Sequence, residues 1–426
     1  MFVLEVFKSF RQKFGDSISH KILSSPFTYS FARRLLVRKR HYSLKALSEI
    51  TDFGLQQAGE AYRGKKPVAW ITAFFPTELV YAMGMVPFTP EIAAASAAAL
   101  DLAPDLMQRA KEAGFDPDTC SFHRCAGGGS LEGLFPKPDV LLASSHLCDG
   151  APQLFRYLSR NLQRPLYVAD VPAYPDEESE KYLARQLENI CFSMEESGRC
   201  KLDWDRLQEA IHNVNRARTA QLLLSHLRRE NPSPLWGSEG LVTVFLTLQG
   251  EGFRRTAELW ENLAREAKER LEKGIPGEEE RHRLVWLHFK PFYSNELFQH
   301  IENNLGMKSV CEEFTSVFWE PLDPETPFLS LARKMLSNPS LGPTQRRLDW
   351  VTQLAREHNA NGVVHFSHWG CRQAVGGTLM LKDGLQREGI PFLSLDGDCV
   401  DARSFPTEQA RTRLESFAEM LEGAVI

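Results

Sequence analysis

Short apolar runs rich in β-branched and aromatic residues recur along this chain, separated by stretches long enough for a helix. Residues 68–75, 85–88, 139–145 and 165–170 form one set, and residues 283–289, 307–311, 362–367 and 391–395 form a second. Such a run is what a strand buried on both faces looks like. Strands that alternate with helices pair in parallel, because each helix returns the chain to the same end of the sheet. The pattern predicts an α/β protein with two doubly wound parallel sheets of the Rossmann or flavodoxin kind. It divides the chain into a helical N-terminal segment (1–62), a first α/β domain (63–175), a charged helical connecting segment (176–280) and a second α/β domain (281–426). Residues 91–114 read as an Ala-rich helix and 313–345 as irregular, with several prolines. Gly274-Ile-Pro-Gly277 reads as the turn that ends the connecting segment.

Open sheets of this kind bind ligands in the loops beyond their strands' carboxyl ends. Cys148, followed by Asp149, comes just after the run at 139–145. Cys371 follows the run at 362–367 in His368-Trp-Gly-Cys371, and Cys120 opens Cys120-Ser-Phe-His-Arg-Cys125. Three soft thiolates at strand ends suit one soft metal centre. The other cysteines are Cys125, Cys191, Cys200, Cys311 and Cys399, and no Cys-x-x-Cys pair occurs. That argues against a zinc ribbon, a thioredoxin motif or a bacterial-ferredoxin cluster. Any one of the eight also reads as a small buried hydrophobe.

Other residues have two readings each. His123, His146, His365 and His368 lie near the key cysteines, either as hydrogen-bond donors to metal-bound sulfur or proton carriers, or as buried structural histidines. Glu78 opens a helix just past a strand, in Pro76-Thr-Glu-Leu79, facing the inter-domain crevice or complementing the helix dipole. Asp149 and Asp398 end strands similarly, and Arg411 and Arg413 read as ion-pair donors. Gly127-Gly-Gly129 lacks the spacings of nucleotide-binding loops and reads as a flexible turn.

The formal charge of −5 supplies no general attraction for nucleic acid. No apolar run reaches the roughly 18 residues of a membrane span. The start, Met1 to Lys8, is broken by Glu5 and Lys8 and lacks the apolar centre of a signal peptide, so a cytoplasmic location is expected. Phe31 to Arg40 is basic and amphipathic. It suits a membrane surface or a partner, or a solvated helix packed by Leu35 and Leu36.

Taken together, the motifs resemble the 2-hydroxyacyl-CoA dehydratase / benzoyl-CoA reductase superfamily. Phe75-Pro-Thr-Glu78-Leu79 with Ala82-Met-Gly84-Met-Val-Pro87 is similar to its Pro-x-Glu-Leu…Ala-x-Gly-x-x-Pro signature. Cys120-Ser-Phe122 and Leu147-Cys-Asp149 resemble its two cysteine motifs. Cys371, Gly389-Ile-Pro391, Leu395-Asp-Gly-Asp398, and Glu408-Gln409 with Thr412 to Glu419 continue the likeness. It covers roughly 63–170 and 283–426. The resemblance implies a [4Fe–4S] cluster between two α/β domains, held by Cys120, Cys148 and Cys371, with the fourth iron left to solvent or substrate. It implies an acyl-CoA substrate, a homologous second subunit and an ATP-dependent iron–sulfur activator that donates one electron. A ketyl radical then forms on the thioester, hydroxide leaves and the electron is recycled. On this reading Glu78 is the candidate proton-handling group. At Thr72 to Phe75 the chain departs from relatives that carry Ser or Cys, having Ala73 and two Phe. Two alternatives stay open: an electron-transfer or scaffold subunit without a substrate site, with the cluster sealed by Phe74, Phe75 and Trp369, and a reductase of the benzoyl-CoA or double-cubane type. The latter calls for adjacent cysteines, and none are adjacent here.

Overall fold

The computed structural model describes residues 16–38, 42–274 and 280–423. It contains two four-stranded sheets, parallel throughout. The first is built from β1 (Val68–Ile71), β2 (Val86–Phe88), β3 (Val140–Ser144) and β4 (Leu166–Ala169), in the order β2-β1-β3-β4. The second is built from β5 (His282–Leu287), β6 (Met307–Glu312), β7 (Gly362–His368) and β8 (Phe392–Gly397), in the order β6-β5-β7-β8. The two orders are the same. In each sheet the first strand sits inside, and the chain leaves it first to one side and then to the other. The topological switch point, where an open α/β sheet leaves a crevice, therefore falls between β1 and β3 in one sheet and between β5 and β7 in the other.

These four inner strands are buried along their whole length, which is why they read as continuous apolar runs. Trp70 and Trp286, on the equivalent strands β1 and β5, are fully buried and face the same apolar core. Trp70 donates its indole N–H to the Pro136 carbonyl at 2.9 Å, and Trp286 donates to the Phe289 carbonyl at 3.1 Å, so neither polar atom is stranded.

The connecting segment is helical. Asp176 caps helix Glu177–Glu196 by accepting from the Ser179 amide at 2.8 Å, and Asp203 caps helix Trp204–Leu227 from the Arg206 amide at 3.1 Å. The first helix buries Leu183, Leu187, Ile190, Cys191 and Met194, a helical-period stripe that makes Cys191 a core residue. Helix Lys45–Arg63 of the N-terminal segment packs Leu47, Ile50 and Phe53 against Trp260 and Leu263 of helix Arg254–Lys273.

Four local expectations need correction. The glycine run at 127–129 is not a turn but lies inside helix Ser121–Leu131. A Cβ at Gly128 would sit 1.8 Å from the Leu106 carbonyl oxygen, and Cβ atoms at Gly127 and Gly129 would strike the rings of Phe115 and Phe135. The glycines let this helix press against helix Ala103–Glu112. The Ala-rich stretch is two helices, Pro90–Ala99 and Ala103–Glu112, broken where Asp101 turns left-handed at φ 57°. The 313–345 stretch contains helix Pro327–Leu336, because Pro327 occupies the first turn, where a missing N–H costs nothing. Cys120 does not follow a strand. It precedes helix Ser121–Leu131 as its N-cap.

Met1 to Lys8, the side chains of Leu35 and Leu36, Lys39-Arg40 and the turn residues 275–277 lie outside the described residues. Among the described residues no helix is long and apolar enough to cross a membrane.

Candidate active site between the two sheets

The loops that follow β1, β3, β5 and β7 meet at one apolar cavity of about 320 Å³. They contribute Ala73 and Phe74, then His146, Leu147 and Cys148, then His288, Phe289 and Lys290, then His368 and Cys371. Each loop contains one residue in the left-handed region: Phe74 at φ 66°, Leu147 at 61°, His288 at 69° and Gly370 at 78°. Three of the four are not glycine, so the surrounding structure holds them there against a steric cost, as is common at ligand sites. The fourth must be small. A Cβ on Gly370 would lie 2.8 Å from the Cys120 Cα, so the glycine lets the Cys371 loop touch the backbone of the Cys120 loop.

All three thiols line this cavity. Each precedes a helix start whose amides point back toward sulfur: Phe122 and His123 for Cys120, Gly150 and Ala151 for Cys148, Gln373 and Ala374 for Cys371. Burial nevertheless pushes every thiol up, Cys148 to about 11 and Cys120 well above the ordinary value. For Cys120 the mutual repulsion of the three sulfurs adds to this, Cys371 before Cys148. Thiolates at this place therefore call for a cation among them. The Cys399 amide donates to His368 Nδ1 at 3.1 Å, which leaves the ring proton on Nε2, 3.4 Å from the Cys120 sulfur. Among the described residues, no three His, Cys, Asp or Glu side chains close on one point as a single metal ion would need.

One carboxyl group joins them. Glu91, in the first turn of helix Pro90–Ala99, lines the cavity. Burial pushes its pKa up to about 7. Its Oε2 has no hydrogen-bond partner, and Oε1 accepts from the Ala73 amide at 3.4 Å. The wall is completed by Leu241, Val242, Val244, Phe245 and Leu248 of the connecting segment. A wider cleft of about 830 Å³ reaches the same thiols, sharing Cys120, His123, Cys148, Cys371 and Gln373 with the cavity.

Residues 72–421 match the family described as "2-hydroxyglutaryl-CoA dehydratase, D-component". The chain belongs to that family. It is similar to the (R)-phenyllactyl-CoA dehydratase alpha subunit of Clostridium sporogenes, with 24% identity over 90% of this chain and 96% of the relative. It is also similar to the (R)-2-hydroxyisocaproyl-CoA dehydratase alpha subunit of Clostridioides difficile, with 24% identity over 88% and 95%. A third likeness is to one of the subunits of the benzoyl-CoA reductase of Thauera aromatica, with 25% identity over 85% and 90%.

Not every residue singled out from the sequence of this family member lies at the cavity. Glu78 is fully buried outside it, where its Oε1 accepts from Lys334 Nζ at 2.6 Å, and Glu251 takes the same ammonium from another side. His123 and His146 line the cavity, both pushed down to about 4 by burial. His365 is buried on β7, 3.5 Å from the Thr378 hydroxyl. Asp398 accepts from the Ser121 hydroxyl at 2.6 Å and from the Val400 and Asp401 amides, which ties the residue after Cys120 to the β8 loop. Asp149 pairs with Arg372 at the surface. Arg411 and Arg413 are ion-pair donors, Arg413 to Asp396 at 3.4 Å and Arg411 to Glu408 at 3.8 Å. Cys125 is buried in its helix with its sulfur 4.0 Å from the Ala94 carbonyl.

Sequence reasoning does not single out Glu91, His288 or Lys290. For Glu91 a signal exists: Thr89-Pro-Glu91 repeats, after β2, the Pro and Glu helix start found after β1 at Pro76 to Glu78.

Proposed function

We propose that this chain is the cluster-bearing subunit of a lyase that eliminates water from a 2-hydroxyacyl-CoA thioester. In this reading a [4Fe–4S] cluster is held by Cys120, Cys148 and Cys371. The donor set fits. Three buried thiols from loops of both sheets stand on one cavity, and a multi-iron cluster holds its ligands further apart than a single ion does, because its own irons and sulfides fill the middle. When bound, such a cluster, with one iron lacking a protein thiolate, would supply an electron and a Lewis-acid position to the thioester.

The chain's own residues supply the rest. The net reaction removes the C2 hydroxyl and one C3 proton as water, with no net oxidation. Glu91 is the proton acceptor in this reading: its Oε2 is free, and a pKa of about 7 suits a general base at neutral pH. His368 orients the Cys120 sulfur through its Nε2 proton. The apolar wall keeps water from the reacting carbons. Glu78 is left as the buried partner of Lys334.

The observation that carries the proposal is the cavity beside the thiols. A pure electron relay would seal its cluster. Here Phe74 is one wall of an open cavity, Phe75 lies behind it and Trp369 is 48% exposed. The relatives named as subunits support a homologous partner chain, and an ATP-dependent iron–sulfur activator would deliver the electron, in a compartment that keeps thiols reduced. Anaerobic purification from the native source, with iron and sulfide assay and identification of co-purifying chains, tests this. About four irons and four sulfides per chain, together with a homologous chain, are expected. Iron-free protein after anaerobic isolation would refute the cluster, and about eight irons would favour the double-cubane reductases.

A further inference from the structure

The chemical character of the cavity goes beyond the reaction class. Its wall is aromatic and aliphatic almost throughout. Phe74, Phe122, Phe289, Phe292 and Phe314 form a connected set: Phe289 lies 4.6 Å from Phe314 and 6.0 Å from Phe122, Phe74 lies 5.6 Å from Phe314, and Phe292 stands 6.0 Å from Phe122 in edge-to-face geometry. Phe245, Ile92 and Leu248 continue the surface. Aromatic rings gain by edge and face contacts with one another, so such a wall rewards another ring.

The charges at the wall are as informative as its rings. Lys290 is the one lysine or arginine among the described residues that line the cavity. Its ammonium is already engaged. It donates to the Ser238 carbonyl at 3.2 Å, lies 5.3 Å from the centre of the Phe298 ring, and feels Glu302 and Glu312. Glu91 has the same sign as a substrate carboxylate would have. Of the lining histidines, His368 stands between Cys399 and Cys120, His288 stacks on His368 at 5.8 Å, and His146 lies edge-on to Phe74 at 5.5 Å with both ring nitrogens unpartnered. A carboxylate at the far end of an acyl chain would meet no lysine or arginine in this lining but Lys290, which it would have to draw from the Ser238 carbonyl and the Phe298 ring, and burying a poorly paired charge is costly.

We propose that the acyl group taken here is large, apolar and uncharged at its far end, of the arylalkyl class, and that dicarboxylic acyl groups are rejected. This rests on the thioester reading above and fails separately from it. Ala95 and Val242, both half-buried in the lining, are the positions that set the preference. Ala95 is a small residue of the lining, and Val242 presents an apolar side chain to it.

The test is binding, with saturated thioesters that have no 2-hydroxyl to eliminate. 3-Phenylpropionyl-CoA, propionyl-CoA and glutaryl-CoA are titrated anaerobically by calorimetry into the protein as purified, with any chain that accompanies it. The phenyl compound is expected to bind on the order of thirtyfold more tightly than propionyl-CoA, from the apolar area of one ring. Glutaryl-CoA is expected to bind more weakly than either. Ala95→Phe should cost the phenyl compound about tenfold or more and leave propionyl-CoA nearly unchanged. Val242→Arg should improve glutaryl-CoA by about tenfold. Thermal unfolding checks that each variant is folded, and the three-way comparison on the parent protein stands without either. Equal affinities, or glutaryl-CoA binding best, would overturn the acyl-group assignment while leaving the thioester site intact. No binding by any of the three would overturn the thioester site, and this inference with it.

Discussion

Replacing Arg347 by Met should destabilise the second sheet's half of the site by roughly 3–5 kcal/mol, the cost of stranding a buried carboxylate. The stranded group is Glu313, just after β6. Its Oε1 accepts from Arg347 Nε at 2.6 Å and from the Ser340 hydroxyl at 2.8 Å. Its Oε2 accepts from Arg347 Nη2 at 2.7 Å and from the His288 amide at 3.0 Å. Both side chains are 4% exposed, so water takes up little of the loss. Burial alone would raise the Glu313 pKa. The guanidinium and its hydrogen bonds override burial and hold the carboxyl below the ordinary value. A carboxyl depressed in the folded state stabilises fully above the ordinary carboxylate pKa, and that stability is lost as pH falls through the depressed value. Without Arg347 only burial is left to dominate, the folded pKa rises, and stability should fall as pH rises instead. Above the ordinary carboxylate range this group therefore gives the parent no slope and the variant a downward one. Urea titrations followed by tryptophan fluorescence at about pH 5 and about pH 7.5, both above the ordinary carboxylate value, read both effects. Arg347→Met with Glu313→Gln should lose less than Arg347→Met alone, since the amide still accepts from His288 and no charge is stranded. A single-variant loss below about 1 kcal/mol, or a pH slope like the parent's, would refute the argument. Arg347 also reaches the Ala374 carbonyl at 3.4 Å, and its charge draws the Cys371 pKa down.

Ala in place of Cys120, Cys148 or Cys371 should each lower bound iron sharply, while Ala at Cys125, Cys191, Cys200 or Cys311 leaves it unchanged; full iron in the first three would sink the ligand assignment. Glu91→Gln should flatten the pH dependence of stability. The folded Glu91 pKa of about 7 lies above the unfolded value, so the parent loses stability as pH climbs from the ordinary carboxylate range toward 7, and the variant does not. Identical urea midpoints against pH for the two proteins would count against that. Gly128→Ala should lower the thermal midpoint, because its Cβ would meet the Leu106 carbonyl at 1.8 Å and force two helices apart at a cost of about 1–3 kcal/mol or more. An unchanged midpoint would mean the helices are not pressed together as described.

The two parallel sheets were legible because their inner strands are buried on both faces, and that leaves an unbroken apolar run in the sequence. Cys148 and Cys371 were legible as strand-end residues for the same reason. Cys120 follows no strand, so only its motif singled it out. Glu78 and Glu91 open helices in the same way after neighbouring strands, β1 and β2, and nothing local separates them. What separates them is tertiary: Lys334, from a helix far along the chain, occupies one carboxylate and leaves the other free. The left-handed turns at Phe74, Leu147 and His288 were invisible, because bulky residues are not what such turns select. The glycine run misled for the opposite reason. Gly127 to Gly129 are there for helix-to-helix clearance, and the same composition serves a turn.

The cavity's two functions are built from different parts of the chain, and this bears on how the protein can vary. Its thiols stand in loops of both sheets or at the helix start beside them. Much of its apolar wall comes from residues 241–248 of the connecting segment, with Ile92 and Ala95 from helix Pro90–Ala99. That wall is pinned to the first sheet independently of the thiols. The Thr89 amide donates to the Gln249 side chain at 2.8 Å, the Thr77 hydroxyl donates to the Glu251 carbonyl at 2.7 Å, and Lys334 ties Glu251 to Glu78. Asn213 holds the Gly252 carbonyl at 3.1 Å from the other side. Because these anchors lie outside the residues that line the cavity, side chains at 92, 95, 242, 245 and 248 can change without moving a sulfur. In the function proposed above, acyl-group preference is thus free to drift while the thiol arrangement stays fixed. In that proposed function Glu78 would act as part of the brace that holds the acyl wall in place.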